Sequence, residues 1–136
     1  MLRKNSTRII IGAIAVAVII LYARGLFTGE KTDYGDVNVE RAMELIEARP
    51  DLVILDVRSP AEFDEGHIEG AVNIPVDSLE GRLGELDKGD ELLVYCRVGN
   101  RSRRATGILC DNGFSKIYHM VGGIEGWRAA GYPTMH

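Results

Sequence analysis

The sequence predicts an α/β fold, an open and mostly parallel sheet flanked by helices on both faces, preceded by one transmembrane helix. Three observations carry this expectation. Short, wholly apolar runs alternate along the chain with stretches whose apolar residues recur at helical spacing. The apolar runs are too short for helices and too uniform for half-exposed strands, which is how strands buried in a parallel sheet read. Near the N-terminus, Ile9 to Ala23 carry no charge and follow a basic start at Arg3, Lys4 and Arg8.

The division that follows is 1–8 as a basic flank, 9–27 as a transmembrane signal anchor, 28–36 as a linker and 37–136 as one folded domain. Residues 9–23 would rise only about 22 Å as a helix, short of a hydrocarbon core of about 30 Å. Including Gly25-Leu26-Phe27 extends the span to about 28 Å, with Arg24 snorkelling to the headgroups. A cleaved signal peptide and a secreted product is the competing reading. A cut after Ala23 would place Leu21 where a small residue is preferred, so the uncleaved anchor is expected. The basic flank puts the N-terminus in the cytoplasm and the domain outside it.

Within the domain, Asn38 is placed to cap a helix over Val39 to Ala48, where Val39, Ala42, Met43 and Ile46 share a face and Arg49-Pro50 ends the run. Leu52 to Leu55 reads as a buried strand. Ala71 to Ile74 is a second strand, and Leu79 to Leu86 a weak helix interrupted by Gly81 and Gly84. Glu91 to Tyr95 is a third strand. Ser102 to Asp111 follows as a helix with Ala105, Ile108 and Leu109 on one face and Asn112-Gly113 as its stop. Lys116 to Met120 is another strand, and Ile124 to Ala130 a last helix ending at Gly131. In such sheets ligands bind beyond the carboxyl ends of the strands, and Cys96 lies at one.

Charge narrows the partners. Without Arg3, Lys4 and Arg8, the chain carries 13 basic and 20 acidic side chains, a net charge of −7, which argues against a nucleic-acid partner. Two cysteines, Cys96 and Cys110, invite a disulfide in an outward-facing domain. A helix from Ser102 would carry Cys110 about 12 Å along its axis, beyond the roughly 7 Å reach of a disulfide. Cys110 is expected to be a small buried hydrophobe of that helix.

The segment Cys96-Arg97-Val98-Gly99-Asn100-Arg101-Ser102 joins a buried strand to a helix start. Unpaired N–H groups at the helix terminus and nearby guanidinium groups would both lower the Cys96 pKa. Gly99 and Asn100 tolerate the positive φ that folds successive N–H groups into an anion-binding nest. Arg97, Arg101, Arg103 and Arg104 concentrate positive charge in an otherwise acidic domain, which favours a small anionic substrate. Arg103 and Arg104 are expected on a solvated helix surface, and Ser102 as the N-cap.

This loop resembles the active-site loop of the rhodanese family, Cys-x-x-Gly-x-Arg. Leu55-Asp56-Val57-Arg58, Glu62-Phe63 and the run from Gly66-His67-Ile68 through Ala71 to Pro75 are similar to that family's upstream motif. Gly113-Phe114 and Gly122-Gly123-Ile124 with Trp127 resemble its closing stretch. The resemblance implies a sulfurtransferase in which Cys96 takes a sulfane sulfur from a small anionic donor such as thiosulfate, becomes a persulfide, and passes the sulfur to a thiol or cyanide-like acceptor. It further implies that the loop residues Arg97 to Ser102 bind substrate, with Arg101 holding the anionic donor. Asp56, Arg58 and His67 are expected as supporting residues, and neither metal nor other cofactor is expected. Competing readings are a non-catalytic module that binds polysulfide or a partner protein at the membrane, and a cysteine phosphatase or arsenate reductase. The latter loops have five residues between cysteine and arginine, whereas four separate Cys96 from Arg101.

Overall fold

The computed structural model describes residues 34–136. The segment expected to be a membrane anchor, 9–27, lies outside the described residues, and among these no helix is long and apolar enough to cross a membrane. The chain from Gly35 builds a five-stranded sheet in the order β1-β5-β4-β2-β3, with every neighbouring pair parallel.

Strand β1 spans Gly35–Val37, across the boundary the sequence suggested between a linker ending at Asp36 and a domain beginning at Val37. It pairs with β5 at the edge of the sheet. Helix α1 runs over Val39–Ala48. The Asn38 side chain accepts the Arg41 N–H at 2.8 Å, a cap worth about 1 kcal/mol. Strand β2 is Val53–Asp56, and a helix α2 that the hydrophobic pattern did not announce follows at Pro60–Glu65. Its origin is local. Ser59 and Glu62 form a reciprocal capping box, with Pro60 in the first turn where a missing N–H costs nothing.

Strand β3 is short, Val72–Asn73, and the weak helix expected over Leu79 to Leu86 is instead a 3-10 segment, Glu80–Glu85, preceded by another at Val76–Ser78. Strand β4, Leu92–Tyr95, leads into helix α3, Asn100–Asp111; β5, Ile117–Met120, leads into helix α4, Gly123–Ala129. The alternating direction of side chains on β4 divides the core. Leu93 and Tyr95 join α1 and α4 through Ala42, Leu45, Ile124 and Trp127. Leu92 and Val94 join α3 through Ala105 and Leu109. Helical layers therefore cover both faces, and β4 sits in the middle of the sheet with its carboxyl end opening on Cys96.

Candidate active site

The loop after β4 is fixed from two sides. Gly99, at φ +121°, turns the chain into α3, and a Cβ there would stand 2.7 Å from the Val121 carbonyl oxygen. That conformation and that contact both require glycine. On the other side, the N–H groups of Ile124 and Glu125 donate to the carbonyls of Cys96 and Arg97 at 2.9 and 3.2 Å. Gly123 makes this approach possible, since a Cβ on it would overlap the Arg97 carbonyl.

Two local expectations are corrected. Helix α3 begins at Asn100 with Gly99 as its cap, so Ser102 is no N-cap but a first-turn residue whose hydroxyl turns inward. Asn100 adopts no positive φ, because it already belongs to the helix. The nest is thus made by Gly99 and the helix start.

Cys96 is 1% exposed. Its Sγ accepts the Gly99 N–H at 3.1 Å and lies 3.2 Å from Ser102 Oγ. Burial pushes the thiol pKa up, but hydrogen bonds from the Ser102 hydroxyl and from the N–H groups of Ser102, Gly99 and Val98 outweigh it, leaving the thiol below its ordinary value. A thiolate on Cys96 would be held by oriented dipoles at the start of a helix.

The arginines are arranged otherwise than their density in the sequence suggested. Each is paired with a carboxylate: Arg97 with Glu125 at 2.6 Å, Arg101 with Glu62 at 2.6 and 2.8 Å, Arg103 with Asp36 at 2.9 Å and Arg104 with Asp77 at 2.9 Å. The surplus of positive charge expected around the loop is therefore largely offset. Arg97, Arg103 and Arg104 are exposed, and such pairs are weak and open easily in water. Arg101 is the exception, held by a two-point fork. The fork holds the Glu62 carboxyl down at about 2, with the Ser59 hydrogen bonds assisting against partial burial.

A family model described as Rhodanese-like domain matches residues 38–130. The chain belongs to the rhodanese family. It is 35% identical over 101 residues to the thiosulfate sulfurtransferase GlpE of Coxiella burnetii (strain RSA 331 / Henzerling II), covering 74% of this chain and 92% of that protein. With YrkF of Bacillus subtilis (strain 168) it shares 34% identity over 92 residues, 68% of this chain but only 50% of that longer protein. Among solved structures, a rhodanese-related protein from Thermoplasma volcanium matches 75% of this chain and 98% of its own at 33% identity, with a TM-score of 0.68.

Around the loop of this rhodanese, Asp56 and Arg58 form a buried ion pair at the end of β2, closed at 2.6 Å, with Arg58 also donating to the Gly66 carbonyl at 2.8 Å. His67 stacks on Phe63 with ring centroids 3.7 Å apart, and its Nδ1 lies 2.9 Å from the Phe63 carbonyl oxygen. Both contacts fasten the turn after α2. Cys110 is exposed, not buried, and both cysteines are free thiols. Val98 projects from the loop, half exposed.

Three site residues were not singled out from the sequence: Glu62 as the partner of Arg101, and His119 with Asp36 behind Ser102. The signal for His119 was a histidine inside the otherwise apolar run Ile117-Tyr118-His119-Met120, a strand buried throughout. A polar ring there must have a partner. Ser102 Oγ supplies one at 2.6 Å from Nε2.

Proposed function

We propose that this domain is a sulfurtransferase working through a Cys96 persulfide, with thiosulfate or a persulfide as donor and a thiol or cyanide-like molecule as acceptor. The observation that carries the reading is the buried, N–H-cradled Cys96 at the start of α3. Its thiolate attacks the outer sulfur of the donor, the donor S–S bond breaks, and the leaving group departs with the electron pair, as sulfite when thiosulfate is used. An acceptor nucleophile then attacks the outer sulfur of the persulfide and returns Cys96 as thiolate.

The size of the cradle supports sulfur over phosphate. Four residues close the loop between Cys96 and Arg101, and the sulfur is almost wholly buried, which favours attack on a terminal sulfur atom over attack on a central phosphorus. In a phosphate ester the attacked phosphorus bears three oxygens that the loop must hold beside Sγ, whereas in thiosulfate the three oxygens sit one bond beyond the attacked sulfur. Incubating the protein with thiosulfate and measuring intact mass is expected to show one added sulfur that cyanide removes as thiocyanate, catalytically. Stoichiometric loading without turnover would mark a sulfur-binding module instead, and no loading by any sulfane donor would end the proposal.

Glu62 sets the terms on which an anionic donor enters, because the carboxylate already occupies the Arg101 fork. Glu62→Gln keeps a side chain able to complete the capping box but removes the competing charge. The expected result is a KM for thiosulfate several-fold lower, with little change for an uncharged donor; an equal effect on both would refute the competition. The same pair gives a signed pH dependence. Because the folded Glu62 pKa is depressed, its contribution to stability is complete above about 4.5 and is lost as the pH falls towards about 2. Urea unfolding of wild type and Glu62→Gln should differ at pH 7 and converge across that interval.

The basic flank and the apolar span 9–27 support a single-pass anchor with the rhodanese domain outside the cytoplasm. Protease added to intact cells should digest the domain; protection that only detergent abolishes would reverse the orientation.

A further inference from the structure

Behind Cys96 runs a line of polar groups that reaches the protein surface. Cys96 Sγ lies 3.2 Å from Ser102 Oγ, and Ser102 Oγ lies 2.6 Å from His119 Nε2. His119 Nδ1 lies 3.1 Å from Asp36 Oδ1, whose other oxygen accepts from Arg103 at 2.9 Å. Ser102 and His119 are 0 and 2% exposed, while the Asp36 side chain is 54% exposed on edge strand β1. The line joins the loop after β4 (Cys96), α3 (Ser102 and Arg103), β5 (His119) and β1 (Asp36). The charged or titratable groups facing the imidazole are Cys96 through Ser102, Asp36, and Arg103 behind Asp36.

We infer that His119 is a positioning residue that accepts the Cys96 proton through Ser102, so that the buried thiol ionises by a relay ending at an imidazolium paired with Asp36. Hydrogen-bond capacity dictates the two states. Arg103 and His119 hold the Asp36 carboxyl below its ordinary pKa, so it is ionised at neutral pH and can only accept. A neutral imidazole therefore keeps its proton on Nδ1, facing Asp36, and presents Nε2 as an acceptor. Ser102 has one hydroxyl proton for three acceptors, His119 Nε2, Cys96 Sγ and the Gly99 carbonyl at 3.1 Å. In the first state it donates to Nε2 while the Cys96 S–H donates to Oγ.

In the second state both protons have moved one step. The S–H bond breaks as a new Ser102 O–H forms, and the former Ser102 O–H breaks as an Nε2–H bond forms. One proton has passed from Sγ to Nε2. The thiolate now accepts from Ser102, Ser102 accepts from the imidazolium, and the imidazolium faces the Asp36 carboxylate, so each group retains a partner. The relay also solves a problem set by burial, since a thiol 1% exposed has little direct access to water for its proton.

The inference rests on Cys96 as the reacting thiol of the proposed sulfur transfer, yet its test reads the thiolate without requiring turnover. In a Cys110→Ser background, which removes the exposed competing thiol, alkylation of Cys96 by iodoacetamide is followed by mass from pH 5 to 10. Asp36→Asn, His119→Gln and Ser102→Ala are each expected to slow alkylation about tenfold near pH 6.5, a displacement of about one pH unit in the profile, with rates converging at high pH. Because the groups act in series, Ser102→Ala combined with His119→Gln should be no slower than Ser102→Ala alone. A His119→Gln profile superimposed on the parent's, with Ser102→Ala shifted, would show that the serine acts alone and overturn the relay. Should His119→Gln fail to fold, exposed Asp36 decides: an unshifted Asp36→Asn profile overturns it equally.

Discussion

Replacing Cys96 by serine is expected to abolish sulfur loading and thiocyanate formation entirely. The alcohol is far less acidic than the thiol, so the N–H cradle that favours a thiolate finds almost no alkoxide to hold, and oxygen cannot stand in for the inner sulfur of a persulfide. Cys110→Ser should leave both activities intact. Because Cys110 is exposed, its replacement should also change stability by no more than about 0.5 kcal/mol. Arg101→Lys belongs between the two. Lysine keeps the charge but loses the planar fork that holds Glu62 and would hold two oxygens of thiosulfate. The informative result is the order of the three variants in intact mass after thiosulfate treatment. A Cys96→Ser protein that still gains a cyanide-labile sulfur would place the chemistry elsewhere.

What the sequence revealed, and what it hid, follows from the range of the forces involved. Helix α1 was legible because its cap, its apolar stripe and its terminating Pro50 are all local. Strands β2, β4 and β5 were legible because burial on both faces leaves no polar alternation. Helix α2 was missed because none of its residues is buried, so it has no apolar stripe; its only signal was the Ser59-Pro60-Ala61-Glu62 capping pattern. Edge strand β1 buries a single residue, Val37, and exists through its pairing with β5. Cys110 adjoins Leu109 in sequence, but one residue turns a helix by about 100°, enough to carry it from core to solvent. In the candidate site, Cys96 and its glycine stood out from composition. The arginines' partners did not, because Glu62 is 39 positions from Arg101 and Asp36 is 67 from Arg103. Local density of charge is visible in a sequence; its neutralisation by the fold is not.

Arg58→Met is expected to cost about 3–5 kcal/mol, most of the stability of a marginal domain, by leaving the Asp56 carboxylate in the core without its counter-charge. The Asp56 and Arg58 side chains are 0 and 3% exposed. Burial disfavours the guanidinium charge, yet the hydrogen bonds and charge of Asp56 more than restore it, so Arg58 stays charged inside the core. Arg58 also donates to the Gly66 carbonyl, and its guanidinium lies 5.8 Å from the centre of the Tyr95 ring. Tyr95 in turn accepts the Ile68 N–H at 3.1 Å. Removing Arg58 therefore loosens the turn after α2 as well as exposing a charge to an apolar core. The double variant Asp56→Leu, Arg58→Met leaves neither charge behind and should recover part of the loss, which urea unfolding of the single and double variants would measure as a coupling energy. A cost below about 1 kcal/mol for Arg58→Met would mean that water reaches Asp56 and that the pair does not hold the turn. Near-complete burial also bears on function: Arg58 has almost no surface with which to touch a donor. Whatever fraction of Arg58→Met remains folded should load sulfur on Cys96 as wild type does, and a folded but unloaded fraction would instead make Arg58 part of the site.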